Sequence, residues 1–199
     1  MSKHYTVNEI FYSLQGEGLR VGTANVFVRF AACNLTCKME THGFDCDTEF
    51  SNGRPFTLNE LLVEMEWLGG ACRATVLTGG EPLLQVDEEL LRALRAHGWY
   101  IALETNGSKP VPPGVDWITC SPKVAEHAVR VAHAQEVKYV RHAGQALPKP
   151  QCEAEHYLLS PAFTPTGMDR EALNWCIQQV KENPKWRLSV QQHKFWSVR

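Results

Sequence analysis

Three cysteines stand close together in this chain, in the run Cys33-Asn-Leu-Thr-Cys37 and, after eight further residues, Cys46-Asp-Thr48. Three thiolates are one short of the four that close a structural zinc site or an ordinary four-iron cluster. A four-iron cluster held by three cysteines keeps one iron open to a small molecule, and an open iron is what chemistry needs. The competing reading is a zinc knuckle with His42 as fourth ligand. The cysteines alone leave both open.

Thr78-Gly-Gly-Glu-Pro82 shifts the balance. Two glycines at the end of an apolar run permit positive φ and close backbone approach. Backbone groups exposed there suit the ammonium and carboxylate of an amino acid. A three-cysteine cluster with that turn beside it can hold S-adenosylmethionine. One electron then breaks a carbon–sulfur bond and releases the 5′-deoxyadenosyl radical, while the protein supplies orientation and a dry site.

These residues need a scaffold, and the pattern predicts one. Apolar, β-rich segments recur at residues 25–31, 74–78, 100–104, 116–120, 136–140 and 157–160. Helical periodicity covers residues 58–68, with Thr57 as N-cap and Glu60 completing a capping box. Further helices are expected at 87–97, closed by Gly98, and at 170–182, capped by Asp169 with Pro184 beyond the end. Strands alternating with helices imply an α/β fold with a mostly parallel sheet. The cysteine loop, the Gly-Gly turn, Glu104-Thr-Asn-Gly107, Ser121-Pro-Lys123 and Ser160-Pro-Ala-Phe163 all fall at C-terminal strand ends, the edge where such folds build active sites. A complete eight-unit barrel takes about 250 residues. The 199 residues here predict an incomplete, splayed (β/α) barrel of about six strands with a reduced helical layer.

Composition sets the outer bounds. Hydrophobic residues at 44% and charged residues at 21% fit an ordinary globular protein, and residues 1–199 read as one domain. A net charge of -2 argues against nucleic-acid binding by bulk electrostatics. No run approaches the roughly 18 apolar residues of a membrane span. The opening lacks the apolar segment of a secretory signal, so a cytoplasmic location is expected. Seven cysteines, an odd number without framework spacing, do not suggest disulfides. Cys72, Cys120, Cys152 and Cys176 read as small buried hydrophobes.

With these motifs in view, the chain resembles the radical S-adenosylmethionine superfamily and, within it, the 7-carboxy-7-deazaguanine synthase family. The resemblance spans nearly the whole chain. It rests on Glu9-Ile-Phe-Tyr-Ser-Leu-Gln-Gly-Glu-Gly18, Val26-Phe-Val-Arg-Phe30, Cys33-Asn-Leu, Cys46-Asp-Thr48 and Thr78-Gly-Gly-Glu-Pro-Leu-Leu-Gln85. It continues through Glu104-Thr-Asn-Gly-Ser108, Cys120-Ser-Pro-Lys123, Glu136-Val-Lys138 and Leu188-Ser-Val-Gln-Gln-His-Lys194. One departure stands out. The superfamily's common spacing is C-x₃-C-x₂-C, whereas eight residues separate Cys37 from Cys46 here.

The resemblance implies a lyase that converts 6-carboxy-5,6,7,8-tetrahydropterin to 7-carboxy-7-deazaguanine with loss of ammonia, in queuosine or other deazapurine biosynthesis. It implies a 4Fe-4S cluster on Cys33, Cys37 and Cys46, S-adenosylmethionine, and magnesium on Thr48, although carboxylate chemistry alone would nominate Asp47. A flavodoxin-type electron donor and a homodimer are implied as partners. S-adenosylmethionine is expected to meet Asp45, Cys46, Asp47, Gly80, Ser121, Pro122, Lys123, Ser160, Pro161, Ala162 and Phe163, with Glu104 on its ribose. The needs of the substrate place its donor-rich amidine edge against Glu17 and the backbone around Leu14, Gln15 and Gly16. They place its carboxylate against Arg29, a bidentate cation. Thr78, His193 and Arg199 match family positions facing the substrate. The sequence offers no acid–base residue for the ring steps. Two other functions remain at this point: an activating enzyme acting on a glycyl-radical protein, and a zinc-binding module without catalysis.

Overall fold

A computed structural model describes residues 3–38, 49–164 and 167–199. The expected run of strands is present: β2 (Ala24–Phe30), β4 (Ala74–Gly79), β5 (Tyr100–Thr105), β6 (Trp117–Cys120), β7 (His133–Arg141) and β8 (Glu153–Pro161). Three more strands join the same sheet: β1 (His4–Leu14), β3 (Arg54–Thr57) and β11 (Trp186–Leu188). The strand order is β11-β8-β7-β6-β5-β4-β2-β1-β3, so the sheet has nine strands among the described residues rather than about six. From β2 to β11 every neighbouring pair is parallel; β1 runs antiparallel to β2, and β3 antiparallel to β1. A separate two-residue hairpin, β9 (Phe163–Thr164) with β10 (Gly167–Met168), follows β8.

The helices form where capping chemistry places them. In α1 (Leu58–Gly69) Thr57 and Glu60 close a reciprocal capping box. Asp87 caps α2 (Glu88–Ala96) by accepting from the Leu90 N–H at 2.9 Å. Asp169 caps α3 (Arg170–Glu182) through the N–H groups of Glu171 and Ala172. A fourth, short helix, α4, spans Gln192–Trp196. Leu61, Leu62 and Met65 of α1 and Leu90, Leu91 and Leu94 of α2 cover one face of the sheet, against Val26, Val28, Phe30, Leu77, Ile101 and Leu103. Each such side chain contributes about 1.5–3 kcal/mol by leaving water. Helical cover is thin elsewhere: residues 106–116 and 142–152 connect their strands without a helix.

The strand β1 escaped the sequence pattern for a structural reason. Its register shifts between Val7 and Glu9. Tyr5 and Val7 therefore pack among the helices, while Phe11 joins Phe27, Val76 and Ala102 on the other face. A bulge that re-aims alternate side chains in this way erases a period-two signal.

Candidate active site

On the face away from α1 and α2, the strand register builds two belts. The lower one is apolar: Phe11 stacks on Phe27, centroids 5.0 Å apart, beside Val76, Ala102 and Trp117. The upper one is polar, because cross-strand partners pair Glu9 with Arg29, Arg29 with Thr78, Glu104 with Thr119, and Thr119 with Glu136. A cavity of about 420 Å³ lies above these belts. Its lining gathers Leu14 from the end of β1 and Gln15, Gly16 and Glu17 from the turn after it, with Arg29, Thr78, Glu104, His193 and Arg199. Every residue assigned to substrate on sequence grounds therefore borders one space, and Glu104, assigned to the ribose, borders it too.

Hydrogen bonds fix these groups. Glu104 accepts from Gln15 Nε2 at 2.9 Å and from Thr78 Oγ1 at 3.1 Å. Glu17 pairs with Lys138, and its other oxygen accepts from Gln191 Nε2 at 2.8 Å. Burial alone would raise the Glu17 pKa, but the Lys138 charge, with help from Gln191 and His193, brings it down to about 2. Lys138 in turn is held protonated: burial opposes its charge, and Glu17, Glu104 and Glu136 together outweigh burial. The Gln192 N–H donates to the Gly16 carbonyl at 2.8 Å. A Cβ at Gly16 would lie 2.2 Å from His193 Nδ1, so glycine is what lets α4 close on this turn.

Arg29 is half-buried and lies over the Phe11 ring, 5.6 Å from its centroid. Its Nε stands 3.6 Å from Glu9, beyond hydrogen-bond length, and its two Nη atoms make no bond to a described residue. Glu9 spends its nearer contact on Arg199, at 2.6 Å. Arg29 thus presents an unspent bidentate edge to the cavity.

The cysteine loop adjoins the glycine turn. Gly79 has φ 127°, and a Cβ there would meet the Phe30 carbonyl at 2.2 Å; at Gly80 it would meet the Ala32 carbonyl at 2.1 Å. Only glycines let the end of β4 pack backbone-to-backbone against the start of the cysteine loop. Ala32 itself has φ 70°, a strained value for a residue with a Cβ. The Glu81 N–H holds the Ala32 carbonyl at 3.0 Å. Cys33 Sγ accepts from the Leu35 N–H at 3.4 Å and lies 4.0 Å from Asn106 Nδ2. Donors aimed at sulfur suit an iron–sulfur ligand. Cys37 is half-buried in the same loop. Asp45, Cys46, Asp47 and Thr48, and the alternative ligand His42, lie outside the described residues. Among the described residues no group of three or more metal-ligating side chains occurs.

The remaining cofactor assignments occupy strand ends beside the cavity rather than its lining. The Ser121 N–H donates to the Thr105 carbonyl at 2.8 Å, and the Lys123 N–H to that of Asn106 at 3.1 Å. With Pro122 they form the turn after β6. Ser160 and Pro161 end β8, followed by buried Ala162 and partly exposed Phe163. Cys120, Cys152 and Cys176 are buried; Cys72 is partly exposed. Sequence reasoning left Lys138, Gln191 and Glu9 without roles. Their signal was available, since Lys138 shares a strand face with Glu136 by simple alternation.

A large, mostly parallel sheet that carries a cysteine loop, a glycine turn and a polar cavity at its strand ends is the build of an α/β enzyme for a small polar molecule. No family model matches the chain. The 7-carboxy-7-deazaguanine synthase of Caulobacter vibrioides is 41% identical over 208 residues, covering 96% of this chain and 97% of that one. The enzyme of the same name from Bacteroides thetaiotaomicron is 39% identical, covering 97% and 98%. A crystal structure of QueE from Escherichia coli superposes with a TM-score of 0.71 at 25% identity, over 96% of this chain and 95% of that one. The chain belongs to the 7-carboxy-7-deazaguanine synthase family, in agreement with the resemblance that its motifs carry.

Proposed function

We propose that this protein is a radical S-adenosylmethionine lyase that converts 6-carboxy-5,6,7,8-tetrahydropterin to 7-carboxy-7-deazaguanine with loss of ammonia. The observation that carries the reading is the cavity. One space holds an ionised, immobilised carboxylate at Glu17 and, at Arg29, a guanidinium whose Nη edge is unspent. A pterin carboxylate needs both, an acceptor for its amidine edge and a fork for its carboxylate.

Cys33, Cys37 and Cys46 hold the 4Fe-4S cluster in this reading, and the donor-flanked sulfur of Cys33 fits that role. When bound, the cluster and S-adenosylmethionine supply reductive carbon–sulfur cleavage and hydrogen abstraction. The chain's own residues do the rest. The turn at Gly80 and the segments at Ser121, Pro122, Lys123 and Ser160–Phe163 receive the cofactor beside the cavity. Gln15, Gly16 and Glu17 take the amidine edge, and Arg29 the carboxylate. Thr78 and Gln15 hold Glu104 in place at the border between the two ligands. His193, with α4, closes over the turn after β1 and excludes water. Thr48 supplies an oxygen to magnesium.

The sheet acts as an incomplete, splayed barrel, and residues 1–199 as one catalytic domain. It works in the cytoplasm as a homodimer, reduced by a flavodoxin-type donor. No helix among the described residues is long and apolar enough to cross a membrane.

The test is anaerobic turnover of iron–sulfur-reconstituted protein with S-adenosylmethionine, reductant, magnesium and 6-carboxytetrahydropterin, followed by mass spectrometry. Deoxyadenosine and 7-carboxy-7-deazaguanine appearing together are expected. Deoxyadenosine alone would discard this substrate. Neither product, from protein verified to hold a four-iron cluster, would sink the assignment.

A further inference from the structure

The inner face of β7 carries two charged residues, Glu136 and Lys138, each no more than 9% exposed. Glu136 accepts from the Leu19 N–H at 2.9 Å and from Thr119 Oγ1 at 2.8 Å, which ties down the chain just beyond Glu17. Lys138 donates to Glu17 itself. The arrangement is one-sided, for Glu17 lines the cavity and Lys138 stands behind it. A buried ammonium is costly, and an apolar residue would fill the same space without that cost. The ion pair therefore calls for an explanation other than packing.

We propose that Lys138 is a positioning residue for substrate recognition. It holds the Glu17 carboxylate ionised and aimed at the cavity, so that the site takes a ligand edge with adjacent N–H donors and rejects one with a carbonyl there. The inference rests on the pterin reading above and says which residue enforces it. The groups facing Glu17 are Lys138 from β7, Gln191 ahead of α4 and His193 on α4; Lys138 also faces Glu104 and Glu136. Without Lys138, burial favours the neutral acid and only Gln191 and His193 oppose it. A protonated Glu17 presents a donor to a donor edge. Recognition then weakens as pH falls, roughly tenfold per unit below the new Glu17 pKa.

The experiment measures binding, by fluorescence titration to the reconstituted enzyme, of pterin-6-carboxylate and of lumazine-6-carboxylate, in which a carbonyl replaces the 2-amino group. Titrations run across the same range of about two pH units below neutrality for every variant. Wild type is expected to prefer the pterin, and Lys138→Arg to keep both that preference and the wild-type pH profile. Lys138→Met is expected to bind the pterin progressively more weakly towards acid pH and to lose the preference. Should that variant fail to fold, Glu17→Gln/Lys138→Met removes both charges. It is expected to hold iron, to lack the acid-side weakening of Lys138→Met, and to accept the lumazine as well as the pterin. A wild-type profile and preference in Lys138→Met would overturn the proposal, as would a retained pterin preference in the double variant. Wild type that binds neither compound would instead remove the pterin reading and this inference with it, a distinct result.

Discussion

Replacing Glu81 with alanine should cost this protein more stability than any surface change, and the size of the loss can be worked from its contacts. Glu81 is wholly buried in the turn after β4. Its carboxylate accepts from the Leu83 N–H at 3.0 Å, from Thr105 Oγ1 at 2.9 Å and from the Asn106 N–H at 2.8 Å. Alanine leaves three donors without that acceptor. At about 1–3 kcal/mol for each unsatisfied group, less what water entry recovers, the loss is roughly 3–6 kcal/mol. With a urea m-value near 2 kcal/mol/M, the unfolding midpoint should fall by about 1.5–3 M. Glutamine keeps the shape but turns an amide NH₂ towards a donor, so Glu81→Gln should lose about 1–3 kcal/mol. The pH dependence has a definite sign. Burial raises the Glu81 pKa despite the three donors, so its contribution is complete below the ordinary carboxylate value and is lost as pH rises through the native one. Glu81→Gln should lack that trend. Because Asn106 also reaches Cys33 and bonds Asn34 at 3.1 Å, iron content should fall in parallel. An alanine variant within 1 kcal/mol of wild type in urea would refute the reasoning that this carboxylate is the acceptor holding β4, β5 and the cysteine loop together.

Arg29→Ala should weaken pterin-6-carboxylate binding roughly 10- to 150-fold, the loss of a charge-assisted fork, while leaving the visible spectrum of the cluster unchanged. Cys46→Ala should abolish both cluster assembly and S-adenosylmethionine cleavage, read as iron content and deoxyadenosine yield; normal cleavage would remove Cys46 from the ligand set. The Glu17–Lys138 pair contributes stability above the ordinary carboxylate pKa that is lost as pH falls towards about 2. Thermal midpoints of the Glu17→Gln/Lys138→Met variant should therefore fall less steeply below pH 4.5 than those of wild type.

The scaffold was legible where one physical signal dominated. Runs such as Val26-Phe-Val-Arg-Phe30 read as strand because branched and aromatic residues suit a pleated, buried surface, and α1 announced itself through Thr57 and Glu60. The strand β1 was hidden by its bulge, and β11 is too short to carry a period. The cavity was legible as a set of strand ends, because chain order fixes which loops share an edge. What the pattern could not supply was the partner of each charged group. Glu17 and Lys138 are 121 residues apart in sequence, and no local rule joins them. The third cysteine and the residues around it, read from spacing and resemblance, lie outside the described residues.

The hidden bulge matters to the site itself. Had β1 kept its alternation past Val7, Glu9 and Phe11 would face the helices, and Arg29 would lose both its carboxylate neighbour and the ring beneath it. With the bulge, Glu9 answers two guanidiniums, Arg29 and Arg199. On this side two guanidiniums face one side-chain carboxylate, an arrangement suited to a ligand carboxylate. On the other side, Lys138 and Arg20 face three carboxylates, Glu17, Glu104 and Glu136, which leaves the balance negative. A ligand that is anionic at one end and rich in N–H donors at the other meets complementary charge along its length. One shifted register thus supplies the polarity that a symmetric strand could not.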